Sequence, residues 1–245
     1  MNAPDVSRIT ASAPAEKHPT IRPVDAATLI LIDRSKRTPR VLMGKRSEKL
    51  KFMPGKLVFP GGRVDPEDRR MPVYGTLESE TERRLLAGVV RPSTARSRAL
   101  ALAAIRETFE ETGLMLGTKE AGAPEGVPAG WSAFAEVGVF PNLEALTLVA
   151  RAITPPGRIR RFDTRFFLAD LSDVAHRVEG IVGPDSELVE LDWLTFAEAR
   201  KTELPNITRA IVEEVESRLN AGNSVRLPVP FYFMRRGSFQ RGTLD

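Results

Sequence analysis

Residues 106–113 read Arg-Glu-Thr-Phe-Glu-Glu-Thr-Gly, and upstream, at 59–63, stands Phe-Pro-Gly-Gly-Arg. Successive residues on an α-helix step by about 100°, so Glu111 lies roughly 40° from Glu107 and Glu110 roughly 60° from it on the other side. Three carboxylates are therefore expected on one face within a single turn. Leu102, Ile105 and Phe109 fall on the opposite face and give the helix a core side. Like charges at these spacings repel by roughly a few tenths of a kcal/mol per pair. A hard divalent cation turns that repulsion into binding, because Mg²⁺ takes oxygen ligands at short distances and shares them with phosphates. A solvated Glu/Arg-rich helix face is the plain alternative for Arg106–Glu111 alone. The Gly-Gly pair upstream and Gly113 at the helix stop favour a site.

Together these residues resemble the signature of the Nudix hydrolases, G-x5-E-x7-R-E-U-x-E-E-x-G-U, with U a bulky apolar residue. Gly62 matches the first glycine, and Arg106, Glu107, Thr108, Glu110, Glu111, Gly113 and Leu114 match the helical end. Two departures stand out. The step from Gly62 to Arg106 is 44 where the family has 14, so about 30 residues are inserted, and Arg98 holds the place of the family's first glutamate. The resemblance implies Glu107 and Glu111 as direct ligands of Mg²⁺ (or Mn²⁺), Glu110 close by and a backbone carbonyl at Gly61 as a further ligand. It implies Arg106 as the group that orients the carboxylates.

Residues 42–62, L-M-G-K-R-S-E-K-L-K-F-M-P-G-K-L-V-F-P-G-G, are similar to the stretch that marks the coenzyme A diphosphatase branch of that superfamily. Arg46, Ser47, Gly55, Phe59, Pro60, Gly61 and Gly62 match in register. Lys51 replaces an arginine, which keeps the charge but loses the bidentate fork that grips phosphate. The segment Arg-Arg-Phe-Asp-Thr-Arg-Phe-Phe at 160–167 is also similar to the larger coenzyme A-cleaving members. The implied substrate contacts are Arg46, Ser47, Lys51, Gly55, Gly62 and Arg63. A basic solvated loop between two strands is the alternative reading of 42–56.

With 245 residues the chain can bury a full core. Its 42% hydrophobic and 28% charged content is ordinary for a globular protein. No apolar run is long enough to span a membrane, and residues 1–25 lack an apolar signal core and read as a flexible arm. With no cysteine, disulfides and thiolate metal sites are excluded, which fits a reducing cytoplasm. A net charge of +4 could attract polyphosphates or nucleic acid. The cations are interleaved with Asp and Glu, with no basic stripe bearing stacking aromatics, so a small nucleotide substrate is expected rather than nucleic acid.

The rest of the chain alternates strands and helices. Strands are expected at 27–33, 40–45, 145–153, 164–171 and 188–193, with a short one at 114–116, and helices at 77–86, from Ser93 or Thr94 to Gly113, 131–139, 196–201 and 207–219. This predicts an α/β class of mixed layers; the resemblance specifies the Nudix fold, a mixed β-sheet sandwiched between helices (α/β/α), with the insert between the Gly-Gly turn and the carboxylate helix. The expected division is an arm at 1–25, a catalytic domain at 26–220 containing the insert 64–98, and an extended tail at 221–245 that packs on the body or on a second subunit. A homodimer is expected by analogy with the family.

Only two histidines exist, His18 in the arm and His176 in a charged segment, so a Ser-His-Asp arrangement is not expected. The expected reaction is hydrolysis of a diphosphate linkage, with a carboxylate drawing a proton from the attacking water. The candidates for that base are Glu110 on the helix and Glu187 or Glu190 in S-E-L-V-E-L-D-W, with preference to Glu110. Three functions compete: a coenzyme A or acyl-coenzyme A diphosphatase, for which family precedent gives 3′,5′-ADP and 4′-phosphopantetheine; a Nudix hydrolase of ADP-ribose, a dinucleotide or a nucleotide sugar; and a Nudix-fold module that binds without cleaving.

Overall fold

Strand β1 (Val24–Asp33) is the spine of the molecule, which the computed structural model describes from residue 21 to 244. The arm's first 20 residues lie outside the described residues. β1 is buried on both faces along most of its length, which explains its nearly unbroken apolar run. It starts at Val24 rather than Ala27 because it pairs in parallel with β7 (Phe162–Asp170) from Val24↔Phe162 onward.

β2 (Arg40–Arg46) returns antiparallel to β1, and the short β3 (Leu57–Val58) and β4 (Gly61–Arg63) pair with β2 and β1 respectively. β6 (Thr147–Ile153) runs antiparallel to β7. β9 (Leu188–Thr195) pairs with β2. A small second sheet joins β5 (Leu114–Leu116) to β8 (Val174–Arg177).

The sheet is covered on both sides. α1 (Ser79–Leu86) and α2 (Thr94–Thr112) lie on one, and α4 (Phe196–Lys201) and α5 (Asn206–Asn220) on the other; the short α3 (Ser132–Glu136) joins the first layer. The alternation of β1 shows the division: Ala27, Leu29 and Leu31 pack with the α2 side, Ile30 and Ile32 with the α5 side. This is the expected α/β/α sandwich.

Helix α2 begins where Ser93 caps it, its Oγ accepting from Arg96 N, and ends at Gly113. Gly113 sits at φ 77°, and a Cβ there would lie 2.1 Å from the Val178 carbonyl, so only glycine fits this stop. The expectation of a single core side is corrected: Ala99–Arg106 are buried all round, because α1, the second sheet and the segment after β4 wrap the helix. Arg96 in its first turn forms a two-pronged pair with Asp25 on β1, at 2.7 Å for each contact.

The tail packs on the body. β10 (Val229–Arg235) and β11 (Ser238–Leu244) form a hairpin, and β10 adds to the main sheet in parallel beside β6. The turn places both Arg236 (φ 50°) and Gly237 (φ 78°) in the left-handed region, the two-residue turn that matches strand twist. Glu214 of α5 fixes the hairpin by accepting from Tyr232 Oη and Arg241 Nε, each at 2.6 Å.

Candidate active site

The Gly-Gly turn and the carboxylate helix meet at one end of β1. Glu111 is buried, and its Oε2 accepts from Gly61 N at 3.0 Å. Gly62 lies so close to Glu107 that a Cβ there would stand 2.3 Å from the carboxyl carbon. Both carboxylates open into a cleft of about 330 Å³ also lined by Gly61, Gly62, Arg63, Arg46 and Glu187.

The third helix carboxylate does not join them. Glu110 pairs with Arg106 one turn back at 2.9 Å, its side chain is 44% exposed, and it does not line the cleft. Its place on the wheel, about 60° to the other side of Glu107, turns it outward because the cleft opens on the Glu107–Glu111 edge. Among the described residues no three acidic or histidine side chains converge closely enough to form a metal-holding group. The expected trio is thus a pair, with Glu187 facing it from the loop before β9.

Burial sets the charge of this pair. It pushes Glu107 up to about 7, against the pull of Arg106, and Glu111 up to about 8, with Glu187 and Glu107 adding to the rise and the Gly61 amide opposing it. Two acids kept partly neutral by burial, beside a turn with no side chains, suit a divalent cation. Mg²⁺ commonly takes only one or two carboxylates, completing its shell with water and substrate phosphate.

Arg106 is a buried hub. Its Nε donates to Asp68 Oδ1 at 2.8 Å and its Nη2 to the Arg63 carbonyl at 2.9 Å, while Nη1 pairs with Glu107 at 3.0 Å. Burial alone would lower its pKa, but Asp68, Glu107 and Glu110 outweigh that and hold the cation. Asp68 belongs to a 3₁₀ turn (Pro66–Arg70) in the segment after β4 and is fully buried. It also accepts from Trp131 Nε1 at 3.2 Å and Asp65 N at 2.8 Å. Reading the sequence overlooked Asp68; its one local signal was the Asp65-Pro66 turn. Arg98, standing where the family has glutamate, donates instead to the Met71 carbonyl.

The expected substrate residues separate into two groups. Arg46, Gly62 and Arg63 line the cleft; Ser47, Lys51 and Gly55 do not. A register shift between Lys45 and Arg46 bulges β2, and the Arg46 side chain faces Glu187 Oε1 at 2.7 Å and the Phe52 carbonyl at 3.0 Å. Ser47 N donates to the Glu187 carbonyl at 2.9 Å, so Ser47 secures the loop rather than reaching the cleft. Gly55 sits at φ 66°, where a Cβ would meet the Glu48 carboxylate, and its amide donates to the Arg46 carbonyl. Glu190 pairs with Lys45 within the sheet. Arg160, Phe162 and Thr164, from the 160–167 segment, and Phe52 and Met53 also line the cleft. His176 lies on β8 beside Met115, away from the cleft.

A mixed sheet between helix layers, with a glycine turn and a buried Glu pair at its end, defines a phosphate-handling class, and the comparisons agree: this chain belongs to the Nudix hydrolase family. The model of the NUDT19 Nudix domain matches residues 23–204. A Caenorhabditis elegans protein named "Putative nudix hydrolase 7" is 30% identical over 180 residues, covering 69% of this chain and 50% of that protein. The chain therefore spans about half the length of this curated relative. The crystal structure of a Nudix hydrolase from Alicyclobacillus acidocaldarius superposes with a TM-score of 0.56 at 28% identity, covering 78% of this chain and 90% of the other. Among the described residues no helix is long and apolar enough to cross a membrane.

Proposed function

We propose that the chain hydrolyses the diphosphate linkage of coenzyme A or an acyl-coenzyme A. The observation that carries the hydrolytic reading is the buried pair Glu107 and Glu111 set against Gly61-Gly62 in a cleft that also holds Arg46, Arg63 and Arg160. The coenzyme A assignment is supported by the 42–62 stretch, whose Arg46 reaches the cleft. Lys51 does not line it, so no phosphate contact is assigned to Lys51.

Glu107 and Glu111 would hold Mg²⁺ or Mn²⁺, which when bound offsets phosphate charge and lowers the pKa of water. The remaining roles fall to side chains. Arg46, Arg63 and Arg160 draw the diphosphate into the cleft and oppose its charge. Glu187 replaces Glu110 as the base, because it lines the cleft together with Glu107 and Glu111 and Glu110 does not. It removes a proton as the water oxygen bonds to phosphorus. The bridging P–O bond then breaks and its electron pair leaves with the departing phosphate. Arg106 positions Glu107 without touching substrate.

A panel with Mg²⁺ or Mn²⁺ tests the substrate. We expect kcat/KM for coenzyme A and octanoyl-coenzyme A to exceed that for ADP-ribose and diadenosine diphosphate by about tenfold or more, a difference of about 1.4 kcal/mol in transition-state binding. The opposite order assigns the cleft to another nucleoside diphosphate derivative, and no turnover of any member assigns it to a binding module.

A further inference from the structure

A second cavity, of about 470 Å³, opens beside the first and shares Phe52, Met53 and Thr164 with it. Its walls are the end of β6 (Ala152, Ile153), Phe166 of β7, Ile207 at the start of α5 and Phe239 of β11. Several polar groups around it are engaged elsewhere. Thr154 accepts from Phe162 N at its hydroxyl and from Arg161 Nε at its carbonyl, and Lys56 pairs with Glu203. Arg158 and Asn206 also have partners.

We infer that this chamber takes an aliphatic arm carried directly on the phosphate remote from the nucleoside, and so selects alkyl-type diphosphate esters against a second sugar or base. The inference rests on the diphosphate reading of the first cleft. Contiguity is the first ground: a group leaving the diphosphate past Phe52 and Met53 enters the chamber at once. Chemistry is the second. Ribose hydroxyls and base edges buried among Phe52, Met53, Ile153, Phe166, Ile207 and Phe239 would lose hydrogen bonds to water and find few in return, whereas methylenes bring no such demand. The dimethyl-bearing carbon of pantetheine, one methylene from the phosphate ester oxygen, is a group of this kind.

Ethyl, butyl and octyl esters of ADP test the inference without coenzyme A. In the wild-type chain KM should fall roughly threefold to fourfold for each methylene buried. Ile207→Trp, which fills the chamber, should flatten that series while leaving ADP-ribose kinetics unchanged. Ile207→Ala, which favours the helix and adds no bulk, should keep a gradient but extend it to longer chains. A flat wild-type series, an undiminished gradient in Ile207→Trp, or equal loss on ADP-ribose overturns the inference. If coenzyme A is not cleaved but octyl-ADP is preferred over ethyl-ADP, the chamber stands and the coenzyme A reading falls. If nothing is cleaved, calorimetry with ethyl and octyl phosphate still decides: tighter octyl binding lost in Ile207→Trp supports the chamber, and equal binding overturns it.

Discussion

Replacing Glu111 with glutamine should lower kcat on any cleaved diphosphate by roughly two to three orders of magnitude while leaving the protein folded. The size follows from the charge stabilisation a divalent ion supplies, several kcal/mol, at about 1.4 kcal/mol per tenfold in rate. Glutamine keeps an oxygen to accept from Gly61 N but loses the negative charge, so the turn survives and the ion does not bind well. Stability gives an independent readout. Burial raises the Glu111 pKa to about 8, well above the ordinary value near 4.5. The folded state therefore binds more protons than the unfolded state between those values, and metal-free wild type loses stability as pH rises through that window. Glutamine removes the Glu111 share of that loss, so at pH 8 or above metal-free Glu111→Gln should melt at or above the wild-type temperature. Undiminished kcat would remove Glu111 from the metal assignment. Lost activity together with a lower melting temperature at high pH would mean a structural role.

Asp68→Ala should be the most damaging substitution outside the cleft. Asp68 is the fully buried partner of Arg106. Removing it leaves the guanidinium paired only with Glu107 and the more exposed Glu110, and leaves Trp131 Nε1 without its acceptor. Breaking one side of a buried pair costs about 3–5 kcal/mol, which in a chain of this size lowers the melting temperature by roughly 6–20 °C. Because Arg106 also holds the Arg63 carbonyl and Glu107, kcat should fall as well, below the melting range. Asp68→Asn, which keeps one of the two acceptor oxygens and the side-chain volume, should be milder in both. A shift within about 2 °C, as for an ordinary surface substitution, would show that the segment after β4 is not fastened this way.

The parts legible in the sequence were those with a local signal. β1 announced itself by an apolar run that only a two-sided burial explains, and α2 by Ser93, by the wheel and by Gly113. The helix expected at 196–201 is present, and in the structure Thr195 and Glu198 form a capping box at its start, the hydroxyl accepting from Glu198 N and the Glu198 carboxylate accepting from Thr195 N. The hairpin at 229–244 was missed because its turn puts Arg236, a residue with no preference for positive φ, at the first central position. β8 is four residues long and becomes a strand only through pairing with β5. The split of the glutamates was hidden for a different reason. The wheel gives angles around one helix, but which edge faces the cleft depends on β4, a contact made across about 50 residues of chain. Asp68 was invisible for the same reason: nothing in Pro-Glu-Asp-Arg-Arg says that its third residue meets Arg106.

Glu107 and Glu111 are proposed as the seat of a divalent cation in a phosphate cleft. Titration calorimetry of Mg²⁺ into the metal-free chain near pH 7, in two buffers of different ionisation enthalpy, tests it most directly. With one carboxyl at about 7 and the other at about 8, both carry protons part of the time, and the ion must displace them. Net proton release is expected on binding, disappearing above about pH 9 and strongly reduced in Glu111→Gln. Binding without proton release, or release unchanged in that variant, would contradict it.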